Sequence, residues 1–328
     1  MAGADVNTIA DAVGKVQNQI ERVIVGKRDV AELLLVAILC DGHVLIEDVP
    51  GIGKTMLARS LSRSLGCIFR RVQFTPDLLP SDITGTHVFD QKKGTFTFRQ
   101  GPVFTQVLLA DEINRATPRT QSALLEAMEE KQVTAEGESL TLPKPFLVLA
   151  TQNPIELEGT FPLPEAQLDR FLMRVRMGYP TEEEDIQILD RFLKDNPIEE
   201  LEPVLFADDL VNLQDACREV TVEVDVREYI SKLTHATRDH PEIELGASPR
   251  AMLGLLHTSQ ALAAVRGRNY VIPDDVKTLV PVVFEHRMSM QTQSNLRGES
   301  LSKLLKEIVE SVATPVEPQN ATTTAPGD

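Results

Sequence analysis

The sequence predicts a three-layer α/β fold, a parallel sheet held between helices, followed by a smaller helical domain. Three observations carry that prediction. Short apolar runs bounded by turn residues recur at Val44–Ile46, Val107–Ala110 and Phe146–Thr151, the pattern of strands buried on both faces of a parallel sheet. Helical patterns separate these runs, and such alternation builds parallel sheets from crossover units. Beyond Tyr179-Pro180-Thr181 little strand pattern remains, and helical periodicity continues to Val312.

The elements follow in order. Ile9, Val13, Val16 and Ile20 keep helical spacing, and Val30–Cys40 forms a strongly apolar helix expected to stop at Gly42. The strand at Val44 runs into a glycine-bearing loop and a helix closed by Gly66, and Cys67–Phe74 is rich in strand formers. Asp77–Gly85 can begin a helix. His87–Asp90 and Thr95–Phe98 then flank Gln91-Lys92-Lys93-Gly94, a hairpin signal. Thr117-Pro118 supplies a cap and a first-turn proline for a helix ending near Glu130. A second hairpin pairs Gln132–Thr134 with Leu140–Leu142 around Gly137, and Met173–Met177 gives the last strand.

In the helical domain, Thr181 and Glu184 form a capping box, and Ile186, Leu189, Phe192 and Leu193 mark one helix face. Further helices are expected at Leu210–Val220, Val226–Arg238, Ser248–Arg266, Pro273–His286 and Leu301–Val312. The domains therefore run 1–180 and 181–312, with hairpins near 86–98 and 131–142 inside the first. The Thr- and Pro-rich tail 313–328 has almost no aliphatic content and is expected to be disordered.

Composition narrows the function classes. With 328 residues, 42% of them hydrophobic and 25% charged, the chain has ample material for a large core. A net charge of −16 repels nucleic acid and anionic membrane, which argues against generic nucleic-acid binding. Cys40, Cys67 and Cys217 are odd in number, widely spaced and set among apolar residues, so buried free thiols are expected rather than a metal site. Met1–Asp11 is neither basic nor apolar, and no apolar run approaches the ~20 residues of a membrane span. A reducing cytoplasm is the expected compartment.

The chemistry gathers at strand ends. After the first strand, Val49-Pro50-Gly51-Ile52-Gly53 leads into a helix that opens with Lys54, Thr55 and Met56. The two glycines allow the loop to turn its N–H groups inward, and the helix adds its positive end. Lys54 can meet β- and γ-phosphates, and the Thr55 hydroxyl can hold Mg²⁺. Asp48 occupies the position where the general phosphate-loop pattern has its first glycine. A Gly-Lys-Thr turn can also start a helix with no ligand.

Asp111 and Glu112 end the apolar run Val107–Ala110. A nucleotide hydrolase needs one strand-tip carboxylate for Mg²⁺ and another near the attacking water. Asp111 suits the first role and Glu112 the second, whereas an Asp-Glu pair can also simply cap a helix. Asn153 follows the strand Phe146–Thr151, where it can orient a water or merely form an Asn-Pro turn. Arg170 can reach an adjacent subunit's γ-phosphate or pair locally with Asp169 or Glu165. Arg250 lies in a first helical turn, where a cation is unfavourable to the helix dipole, a hint of a ligand.

The long runs Asp111–Glu130, Ala150–Pro154, Leu163–Phe171 and Gly246–Ala251 resemble the MoxR family of AAA+ ATPases, over roughly Gln17 to Lys306. The resemblance implies an AAA+ nucleotide domain with a C-terminal helical lid, ATP and Mg²⁺ as ligands, and ATPase activity. It assigns Lys54 and Thr55 to Walker A, Asp111 and Glu112 to Walker B, Asn153 to sensor 1, Arg170 to the arginine finger and Arg250 to sensor 2. Val25 and Gly26 match the stretch near adenine, and Arg250 is expected to contact the phosphates as the lid closes. The resemblance further implies a ring, by family habit a hexamer, acting as a chaperone on a client protein with a von Willebrand factor A domain partner. Rival readings are a DNA-directed remodeller, disfavoured by the charge, and a non-hydrolysing scaffold, disfavoured by intact Lys54, Glu112, Asn153 and Arg170.

Overall fold

A computed structural model describes residues 5–92, 94–135, 137–154, 159–193, 197–297 and 299–315. Met1–Ala4, Lys93 of the first hairpin and most of the expected tail, 316–328, lie outside the described residues.

The sheet-bearing half contains α1 (Val6–Glu21), α2 (Arg28–Leu39), β1 (Val44–Glu47), α3 (Lys54–Ser64), β2 (Phe69–Gln73) and α4 (Pro80–Thr84). It continues through β3 (Gly85–Asp90), β4 (Thr95–Gln100), β5 (Val107–Asp111), α5 (Pro118–Glu130), β6 (Gln132–Ala135), β7 (Glu138–Thr141), β8 (Leu147–Gln152), α6 (Glu165–Leu168) and β9 (Met173–Val175). Five strands form one parallel sheet in the order β2-β5-β8-β1-β9. Its central strands are buried throughout their apolar stretches, as helices on both faces require. The sheet order places the ends of β1, β5 and β8 side by side, which is what brings separate motifs to one edge. Strands β3 with β4 and β6 with β7 form antiparallel hairpins apart from the sheet. Phe89 and Phe96 pack edge to face on the first of these, both half or more exposed.

The second half comprises α7 (Glu182–Arg191), α8 (Ala207–Arg218), α9 (Val224–Asp239), β10 (Ile243–Leu245), α10 (Pro249–Val265), α11 (Pro273–Phe284), β11 (Ser289–Met290), α12 (Thr292–Leu296) and α13 (Leu301–Ser311). Strands β10 and β11 form a small antiparallel ribbon that the periodicity did not reveal. Helices α8 to α11 and α13 share one apolar core with α1, α2, α3 and one face of the sheet; α5 and the Leu163–Phe171 segment cover the other face. Gln214 Nε2 donates to the Ile38 carbonyl at 2.6 Å, and His286 Nε2 to that of Phe171 at 2.9 Å. The helical half is thus seated on the sheet-bearing half through buried polar bonds as well as apolar contact.

Two local expectations are corrected. Helix α2 ends at Leu39, and the left-handed residue that follows is Asp41 (φ 54°), not Gly42. A Cβ at Gly42 would strike the Leu172 side chain, so glycine there serves close packing instead. The capping box of α7 forms as expected. Its apolar face does not enter the core, because Ile186, Leu189, Phe192 and Leu193 are all exposed.

The cysteines are free; Cys67 and Cys217 are buried and Cys40 is partly covered. Burial pushes the Cys67 thiol up to about 11 and the Cys217 thiol to about 12, so neither is a ready thiolate. No described helix is long and apolar enough to cross a membrane.

Candidate active site

The phosphate loop follows β1 at the carboxyl edge of the sheet. Gly51 and Gly53 take φ of 85° and 89°, a region that favours glycine, and α3 begins directly at Lys54. Lys54 Nζ donates to the Asp48 carbonyl at 2.7 Å. Burial lowers the Lys54 pKa, against the opposing pull of Asp111, Asp48 and Glu112.

A cleft of about 300 Å³ is lined by Pro50, Gly51, Gly53, Lys54, Thr55 and Met56 on the loop side. Asp111, Glu112 and Asn153 line it from the ends of β5 and β8, together with Arg71 and Gln73. Thr151 Oγ1 donates to Asp111 Oδ1 at 2.6 Å and accepts the Glu112 N–H at 2.9 Å. This hydroxyl ties the two strand ends together. Glu112 has a φ of 57°, a left-handed conformation that costs an ordinary residue of order 1 kcal/mol or more. Its carboxylate accepts from Gln73 Nε2 at 2.7 Å and Arg115 Nη1 at 3.1 Å.

Arg71 and Gln73 escaped the sequence reading. Arg71 holds Asp111 Oδ2 through Nη2 at 2.6 Å and Nε at 3.1 Å, a forked contact. No motif marks either residue. They meet the carboxylates because β2 pairs with β5 in a register that sets Gln73 beside Asp111.

Next to the loop lies a more apolar cavity of about 420 Å³. Val25, Ile52 and Met56 line it, facing Tyr179, Pro180 and Phe192 from the start of the helical half. Two expected contact residues do not reach these cavities. The Val49 N–H is taken by Asp48 Oδ1 at 2.9 Å, so it is spent within the loop. Gly26, at φ 69°, lies beside α7, where an added Cβ would meet the Glu184 carboxylate.

The two remaining arginines lie elsewhere. Arg170 precedes β9, and the Leu172 N–H donates to the His43 carbonyl at the amino edge of the sheet. Arg170 Nε stands 3.0 Å from Glu129 Oε2, and Arg250 Nη1 lies 3.2 Å from Glu129 Oε1. One carboxylate at the end of α5 therefore gathers an arginine from each half of the chain. Asp169, a local partner weighed for Arg170, instead pairs with Arg287 at 3.0 Å. The expected contact of Arg250 with its own phosphate loop is not made, because α10 starts at the opposite edge of the sheet.

The comparisons agree with this architecture. Residues 43–173 match the model of the ATPase family associated with various cellular activities (AAA), and residues 235–308 match the AAA lid domain. The chain is 41% identical over 321 residues to Chaperone MoxR1 of Mycobacterium tuberculosis, covering 95% of this chain and 84% of that protein. The chain belongs to the MoxR family of AAA+ ATPases. It is also 49% identical over 305 residues to the uncharacterized protein YeaC of Bacillus subtilis, covering 93% and 95% of the two chains. A crystal structure of a candidate ATPase from Cytophaga hutchinsonii superposes with a TM-score of 0.89 at 36% identity, covering 95% and 97%. The MoxR assignment fixes the fold class as a AAA+ domain with its lid, in keeping with the sheet and helices described above.

Proposed function

We propose that this MoxR protein hydrolyses ATP as a ring in which each subunit supplies a phosphate cradle for its own nucleotide and two arginines for a neighbour's. One observation supports it most directly. Lys54, Thr55, Asp111, Glu112 and Asn153 surround a single cleft, whereas Arg170 and Arg250 share Glu129 at the far edge of the sheet. The four residues of β1 alone separate the two edges by about 13 Å. Charge developing on the transferred phosphoryl calls for a cation beyond Lys54. Arginines that face away from their own cradle can supply it to the next subunit. A head-to-tail contact of this kind, repeated by rotation, closes into a ring, and the family resemblance favours six subunits.

In this reading Lys54 exchanges the Asp48 carbonyl for the β- and γ-phosphates. Glu112 orients and deprotonates the attacking water, and Asn153 holds that water from the neighbouring strand end. Glu112 must first yield its bonds to Gln73 and Arg115, so those residues set how readily the base is released. The Thr55 hydroxyl and the Asp111 carboxylate are hard oxygen donors that fit Mg²⁺, which neutralises phosphate charge when bound. The apolar cavity beside the loop takes the base.

The work done with this energy is, in the proposal, chaperone-like remodelling or metal-insertion maturation of a client complex, with a von Willebrand factor A domain partner. The name of the Mycobacterium relative and the family resemblance support this part. A mixing experiment tests the trans arrangement. R170A keeps an intact cradle, and E112Q keeps an intact Arg170. Combined in one ring, R170A sites that receive Arg170 from E112Q neighbours regain turnover, so the mixture exceeds the sum of the separate variants. No gain, with subunit exchange demonstrated independently, would refute the trans assignment.

A further inference from the structure

Asp48 departs from the general phosphate-loop pattern, and the mechanism above does not use its side chain. Its surroundings give it a task. The Asp48 N–H donates to the Gln152 carbonyl at 3.2 Å, and its own carbonyl accepts from Lys54. The carboxylate accepts the Val49 N–H through Oδ1 at 2.9 Å. Through Oδ2 it accepts the N–H groups of Met177 and Gly178, both at 2.7 Å. Those last two donors lie about 130 residues away in sequence, on the segment that leaves β9 for the helical half.

That segment turns at Gly178 (φ 66°) and continues directly into Tyr179 and Pro180. Tyr179 and Pro180 are a wall of the apolar cavity beside the loop; Pro50, Gly51, Gly53 and Met56 line both that cavity and the phosphate cleft. The same stretch is also held at and before Asp48's contacts, where Arg176 bonds Glu47 and Met177 is buried in the core, and beyond them, where the Tyr179 carbonyl accepts from Lys27 and Thr181 caps α7. Asp48 therefore sits at the joint between the two cavities. Hydrogen bonds from backbone N–H groups to an ionised carboxylate are short and among the stronger kinds, and a glycine at this position would supply none of them.

We propose that Asp48 is a positioning residue that fixes the Tyr179–Pro180 wall relative to the phosphate cradle, so that a single nucleotide fills both cavities at once. The inference rests on the ATP-binding reading of the cleft. Phosphate alone engages the loop and does not touch the wall. A full nucleotide needs both parts in register.

Binding of Mg-ATP and of magnesium tripolyphosphate, which carries the phosphates without a base, separates these parts. The expected result for D48G is a loss of about tenfold in ATP affinity, with tripolyphosphate affinity changed by less than about threefold. The change should appear in KM more than in kcat. D48N keeps one oxygen able to accept from Met177 and Gly178 and should recover most of the ATP affinity. D48A gives the same reading as D48G should the glycine variant fold poorly. Equal weakening of both ligands, or of neither, overturns the proposal and reduces Asp48 to a support of the loop. K54A, measured alongside, should weaken both ligands together. If K54A leaves both untouched, the cleft is not the phosphate site, and it is the underlying reading that fails.

Discussion

The two edges of the parallel sheet carry polar groups of very different character. At the carboxyl edge the candidate residues are interlocked. Lys54 is held by Asp48, Asp111 by Arg71 and Thr151, and Glu112 by Gln73 and Arg115. At the amino edge, Arg170 and Arg250 converge on Glu129, and all three side chains are about one-third exposed or more. The interlocked edge suits groups that must be pre-arranged around a bound phosphate. The exposed edge suits groups that must change partner when another surface arrives, since accessible ion pairs contribute little and exchange readily. The difference teaches that the fold keeps Arg170 and Arg250 away from their own loop; in the proposed ring, one copy would present the two edges to different neighbours.

The largest expected effect breaks the amino edge. R170A should lower kcat by ~10³–10⁵, the range for a phosphoryl-transfer arginine, with ATP affinity nearly unchanged. Steady-state turnover beside equilibrium binding checks it, and a parallel loss of affinity would move Arg170 to its own cradle. Next, E112Q should keep nucleotide binding and lose ~10²–10⁴ in kcat, whereas K54A should lose tight binding itself. Matching binding losses in the two variants would remove Glu112 from the role of base.

A third prediction concerns what supports the amino edge. His43 Nδ1 accepts the Val148 N–H, so Nε2 carries the proton and donates to the Met128 carbonyl, beside Glu129. Burial lowers the His43 pKa to about 4, and His286 is likewise pushed to about 3 by burial and the Arg287 charge. A second proton on His43 would face the Val148 donor. Because the folded values lie below the ordinary 6.5, the contribution is fully present above that pH. It is lost as pH falls from 6.5 toward the folded values. For His43 the full difference amounts to about 3 kcal/mol. Thermal unfolding followed between pH 7 and pH 4.5 should show the decline, with a shallower slope in H43Q. The smallest expected effect sharpens the comparison. E129Q leaves Arg170 and Arg250 in place without a charged partner and should change kcat by only a few-fold, as exposed ion pairs imply. A loss as large as that of R170A would make Glu129 more than an exchangeable partner.

Much was legible in local spacing. The buried strands, both hairpins, the α7 capping box and the run from Val44 to Met56 depend on periodicity and on residues close in sequence, and these the pattern captures. The glycines at 51 and 53 announced their left-handed conformations because no other residue adopts them cheaply. Where spacing misled, a distant contact had intervened. The left-handed turn after α2 falls on Asp41, and Gly42 instead leaves room for Leu172, a residue distant in sequence.

By itself, then, the sequence determined the nature of the elements, the loop chemistry and the family, since each depends on residues within a turn or two of one another. The tertiary structure alone decided which strand stands beside which. The order β2-β5-β8-β1-β9 set Arg71 and Gln73 on the Asp111 and Glu112 carboxylates, and it sent Arg170 and Arg250 to the edge away from their own loop. It also gave the Asp48 side chain its partners at Met177 and Gly178. The physical reason is common to all three. A carboxylate or a guanidinium acts over a few ångströms, and chain separations of 40 to 130 residues are brought within that range only when the sheet closes in one strand order.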